Sequence, residues 1–129
     1  MAPVSISLLL TAAIVGIMVF FSVAVAPTVF KVFPQEWAGI YVRAFFPRYY
    51  AALGLLSSLA AWLARDTAAT ATLGSCAVLF FFSLWGITPR INHARDRQDK
   101  RMFNVLHGLS VIINLGQLSA LLWVLWSAL

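Results

Sequence analysis

Charge is scarce in this sequence. Of its 129 residues only 10% are charged, with four Asp or Glu against nine Lys or Arg, whereas soluble domains carry about 25%. With 62% hydrophobic residues and a mean hydropathy of +0.91, the composition predicts an integral membrane protein rather than a water-soluble enzyme. Cysteine is nearly absent too. Cys76 is alone, so no intramolecular disulfide can form and no Cys-x-x-Cys metal or redox spacing exists. The apolar stretches are continuous rather than alternating, which disfavours strands and a transmembrane barrel. A basic leader region is also missing. "AVA" at residues 24–26 resembles a signal-peptidase site, but the apolar run before it exceeds the roughly 7 to 15 residues of a signal core, so it is read as part of a helix.

The charge-free runs are Met1 to Phe30, Tyr49 to Ala64, Thr67 to Pro89 and Met102 to Leu129. A helix needs about 20 mostly apolar residues to cross the hydrocarbon layer. The expected fold is therefore an all-α membrane protein, a single four-transmembrane-helix bundle over 1–129 with spans about 6–27, 47–64, 68–88 and 103–126. The second run is short, so Arg48 and Arg65 are expected to snorkel outward and "AFFP" to share the apolar slab.

Eight of the nine basic residues fall between spans one and two (Lys31, Arg43, Arg48) or between three and four (Arg90, Arg95, Arg97, Lys100, Arg101); Arg65 is the exception. The positive-inside bias places both loops in the cytoplasm and both termini outside it. A pI near 10.2 then follows from topology and anionic headgroups on the cytoplasmic side, and no nucleic acid is invoked. Trp37 and Trp85 fall near the inner boundary, and Trp62, Trp123 and Trp126 near the outer one.

In "FPQEWAGIYVRAFFPRYY", Trp37, Ile40, Tyr41, Ala44 and Phe45 share one face of a helical wheel and Glu36, Gly39 and Arg43 the other. This predicts a short interfacial amphipathic helix between spans one and two, ended by Pro47; the alternative is an extension of helix two into the cytoplasm. Arg43, Arg90 and Glu36 are the expected cytoplasmic-face anchors, with the arginines meeting Glu36 or a phosphate. In "TPRINHARDRQDKRMF" the four-residue spacings pair Arg95 with Asp99 and Asp96 with Lys100. Two carboxylates among five cations suit neither a metal site nor acid–base work.

The last span carries the informative pattern. Asn104, His107, Ser110, Asn114 and Gln117, spaced by three, three, four and three, share one broad helical face. Hydrocarbon cannot satisfy these groups, so the face is expected to point into the bundle. There it acts either as interhelical glue or as a binding stripe. Only His107 among these can titrate near neutral pH or bind a metal. No catalytic residue and no cofactor is expected, and the chain is read as more suited to a non-enzymatic role. The broad Leu and Trp faces of helix four suit packing against a second copy, which predicts a homo-oligomer.

"YVRAFFPRYY", "ITPRINHARD" and "FNVLHGLSVIINLG", in this order, resemble the transmembrane protein 205 family of eukaryotes and the bacterial proteins grouped with it as a domain of unknown function. The resemblance covers nearly the whole chain and implies a four-span bundle. The association of the eukaryotic members with resistance to platinum drugs implies export or vesicular handling of a metal compound, although the longer insertion they carry between helices three and four is missing here. Three functions are carried forward. The first is transport or export of a small cation, metal complex or amphipathic solute past His107, Asn114 and Gln117. The second is a structural or accessory membrane protein. The third, a haem-binding membrane redox protein, is weakened because only His107 lies within a span.

Overall fold

The computed structural model describes residues 4–129. Among them it contains four helices and no strand: α1 Ile6–Val32, α2 Gln35–Leu63, α3 Thr67–Asp96 and α4 Lys100–Ser127. Three of these, α1, α3 and α4, are long and apolar enough to cross a membrane.

Local sequence explains the ends. Ser5 accepts from Leu8 N at 3.2 Å, Asp66 from Ala69 N at 3.0 Å and Asp99 from Met102 N at 3.1 Å, each satisfying an N–H that the first turn leaves open. Gln98 turns the α3–α4 connection with φ 57°. The connections are short, so successive helices run antiparallel. The helices pack in a closed ring, α1 to α2 to α3 to α4 and back to α1. One end of the bundle gathers seven of the nine basic residues, all but Arg48 midway along α2 and Arg65 at the other end, and is called the basic end below.

Two prolines shape the helices they interrupt. A proline lacks an N–H and crowds the carbonyl four residues earlier. For Pro27 and Pro89 those carbonyls belong to Val23 and Trp85, and both lie inside π turns, at Phe21–Val25 and Ser83–Ile87. The wider turn takes up the misfit without ending the helix.

Pro47 behaves otherwise, and the expected interfacial helix is corrected here. α2 runs unbroken from Gln35 to Leu63 with Pro47 inside it. Its buried residues Ala38, Val42, Tyr49, Leu53, Ser57 and Ala60 keep one helical register through the proline, so packing against the neighbouring helices holds the segment upright. The guanidinium of Arg48 donates to Ala44 O at 2.6 Å, in the turn the proline disturbs. Trp37 and Ile40, the supposed membrane-facing side of a flat helix, are exposed on the flank of the bundle.

The core joins Ile14, Met18, Leu53, Leu73, Phe80 and Leu121 to an aromatic cluster towards the basic end. Phe21, the first residue of a π turn, stacks on Phe45 with centroids 4.7 Å apart and contacts Tyr49 at 5.1 Å. Gly54 lets α3 approach α2, because a Cβ there would lie 2.8 Å from the Phe81 ring. The outside is apolar: Val23, Trp62, Ile112 and Trp126 are among its most exposed residues.

Candidate functional site: the polar stripe and the basic end

The structure divides the stripe on α4. Gln117 and Ser110 are buried, Asn114 is half-buried, and His107 and Asn104 are exposed. The expectation that the whole stripe faces inward is thus corrected for His107 and Asn104. Its spacing is the physical reason. Steps averaging less than the roughly 3.6 residues of a helical turn make the stripe wind around the helix, so Asn104 lies about 140° from Gln117.

The inner members bond mainly to backbone. Gln117 Nε2 donates to Cys76 O on α3 at 3.0 Å. Asn114 Nδ2 donates to the Tyr50 hydroxyl on α2 at 3.2 Å and to Ser110 O at 3.0 Å. Ser110 Oγ donates to His107 O at 2.7 Å. Among the described residues three buried side-chain atoms have no partner: Gln117 Oε1, Ser57 Oγ and Ser83 Oγ. The His107 ring lies parallel to Phe103 at 5.9 Å, and the Arg95 guanidinium stands 5.2 Å from the centroid of the same Phe103 ring.

At the basic end Arg43 makes a two-pronged bond to Asp96, at 2.7 and 3.0 Å, tying α2 to α3. That bond raises the Arg43 guanidinium above its ordinary value and lowers the Asp96 carboxyl, first through the hydrogen bond and secondarily through charge. Arg95 Nη1 donates to Gly39 O at 3.2 Å. The expected pairs are replaced. Arg43 meets Asp96 rather than Glu36, and Asp96 is therefore not held by Lys100. Asp99 caps α4 and approaches Arg97 at 3.7 Å, not Arg95. Glu36 and Arg90 are exposed and make no ion pair among the described residues. Within-helix spacing could not reveal a bond across 53 positions.

Among the described residues no three His, Cys, Asp or Glu side chains come together as a metal site. Of the sulfur groups, Cys76 and Met18 are buried in the core and Met102 is exposed. Two grooves open on the flank. One of about 310 Å³ lies between α3 and α4, lined by Ala71, Ser75, Gly116 and Gln117. The other, about 770 Å³, lies between α1 and α4 at the end opposite the basic one and is lined by Leu8, Ala12, Leu122 and Trp126.

Comparison with known proteins supplies a family and no activity. An "Uncharacterized protein" of Aquifex aeolicus (strain VF5) is 31% identical over 112 residues, which cover 85% of this chain and 84% of that protein. No solved structure matches the chain. A family model described as "Domain of unknown function (DUF4149)" matches residues 9–100 and so ends where α4, with its stripe, begins. With that model covering α1 to α3, the chain belongs to the DUF4149 family.

Proposed function

We propose that the protein is a four-span membrane protein of accessory or structural kind, whose working surface is the outward face of α4 near the basic end rather than a path through the bundle. One observation carries this: Asn104 and His107, the polar groups a through-path needs at its inner mouth, face outward. Deeper in the bundle Gln117, Asn114 and Ser110 donate to carbonyls and to Tyr50. Such bonds hold membrane helices together at about 0.6 to 2 kcal/mol each. In this reading α2 supplies the fourth span through its charge-free half, Tyr49 to Leu63, with Arg48 snorkelling. The basic end faces the cytoplasm and both termini lie outside it. The motifs on α2, α3 and α4 also support kinship with the transmembrane protein 205 family.

Transport of a small cation, metal complex or amphipathic solute is the second reading. It is favoured by the three unpartnered atoms, Gln117 Oε1, Ser57 Oγ and Ser83 Oγ, because a buried polar atom without a partner is costly unless something visits it. Flux of protons and monovalent cations into liposomes carrying the purified protein separates the two. The accessory reading expects the rate of empty liposomes; a protein-dependent flux abolished by Gln117→Leu would replace it with transport.

A further inference from the structure

Residues 21–32 of α1 make no close approach to α4, although the upper part of the same helix does. The departure coincides with the π turn at Phe21–Val25 and with Pro27, features at which helices bend. The basic-end half of α4 is therefore not covered by α1 on that flank, and this uncovered flank is called the crevice below. Lys100, Asn104 and His107, four and three residues apart, fall within about 60° of one another on that side and form a ladder about 10 Å tall. All three are exposed. The headgroup layer of one leaflet is about 5 to 8 Å deep, so the ladder runs from that layer towards the acyl boundary.

Hydrocarbon tails cannot satisfy an amide and an imidazole, so the crevice requires a polar occupant. Charge identifies its sign. Asp96 is held by Arg43, and Asp99 by the α4 cap and Arg97, whereas Lys31, Lys100 and Arg101 have no carboxylate within 4.0 Å among the described residues. A second copy placed here around a two-fold axis would set Lys100 against Lys100, which disfavours a dimer at this face. Further along α4, Val111, Leu118 and Leu122 continue the same line, and the seam ends in the apolar α1–α4 groove at the opposite end.

We propose that this crevice binds an anionic phospholipid. Lys100 pairs with the phosphate, Asn104 and His107 donate hydrogen bonds to the headgroup and glycerol region, and an acyl chain lies along the α1–α4 seam. The proposal extends the reading of the outward α4 face as the working surface, and its test is independent of liposome flux, so either can fail alone.

Native mass spectrometry of the full chain in mild detergent, titrated with phosphatidylglycerol or phosphatidylcholine of identical acyl chains, tests it. Phosphatidylglycerol is expected to bind about fivefold or more tightly than phosphatidylcholine, and Lys100→Ala to lose about fivefold of that affinity. Asn104→Leu weakens binding likewise, Asn104→Gln restores it, and Arg90→Ala, the same charge change on α3, leaves it unchanged. Thermal unfolding of each variant confirms that it is folded. Equal binding of the two lipids, or an equal loss in Arg90→Ala, would overturn the site in favour of diffuse charge. Displacement of the lipid by inorganic phosphate would assign the site to a free anion instead.

Discussion

Asn114 on α4 donates to the Tyr50 hydroxyl on α2 at 3.2 Å, joining two helices that stand diagonally across the bundle. α1 and α3 separate these helices in the ring, so this bond reaches across the centre of the fold. Tyr50→Phe should lower stability in detergent by about 1 kcal/mol. Asn114→Leu should cost a similar amount. If the bond is the shared cause, the double variant will lose little more than either single one; full additivity in thermal melts would refute the coupling.

Gln117 differs because only half of its amide is used. Nε2 reaches Cys76 O while Oε1 has no partner. Gln117→Leu removes one hydrogen bond and also an orphaned buried carbonyl, so stability should change by less than about 1 kcal/mol. A loss well above that, measured by chemical denaturation in micelles, would mean that Oε1 has an occupant.

The Arg43–Asp96 clamp gives a pH dependence with a defined sign. The folded-state value of Asp96 lies below its ordinary 3.8, so its contribution is present above about pH 4 and is lost as pH falls through the lowered value. Both side chains are about half exposed, at 47% and 53%, so the effect is small and screened by salt. Melting curves should show wild type losing slightly more stability than Asp96→Asn below pH 4 at low ionic strength. Parallel acid profiles for the two would rule out the clamp.

Topology is open to direct test. Reporter fusions after Arg65 and after Leu129 should lie outside the cytoplasm, and one after Gln98 inside it. A cytoplasmic signal after Arg65 together with a cytoplasmic one after Phe33 would remove α2 as a span.

The all-helical class, the places of the three long apolar helices α1, α3 and α4, and the apolar exterior were legible because charge-free runs report them directly. The continuity of α2 was not. Pro47 carries a strong local signal for a break, and only the inward register of Val42 and Tyr49 overrides it. Two of the five stripe residues, Asn104 and His107, were misplaced for a related reason. A wheel shows that Asn104 and Gln117 share a broad face, but not where the neighbouring helices divide that face, nor that α1 turns away below Phe20. The Arg43–Asp96 bond was hidden because sequence spacing lists partners within a helix and says nothing of partners across two.

The division of the stripe is therefore what most needs measuring. Nitroxides placed singly at 104, 107, 110 and 117, in a Cys76→Ser background and in lipid bilayers, report collisions with oxygen from the lipid and with a water-soluble nickel chelate. High oxygen or chelate access at 104 and 107, with little of either at 110 and 117, is the predicted result. Shielding at 107 together with chelate access at 110 and 117 would contradict it and restore a water-filled path through the bundle.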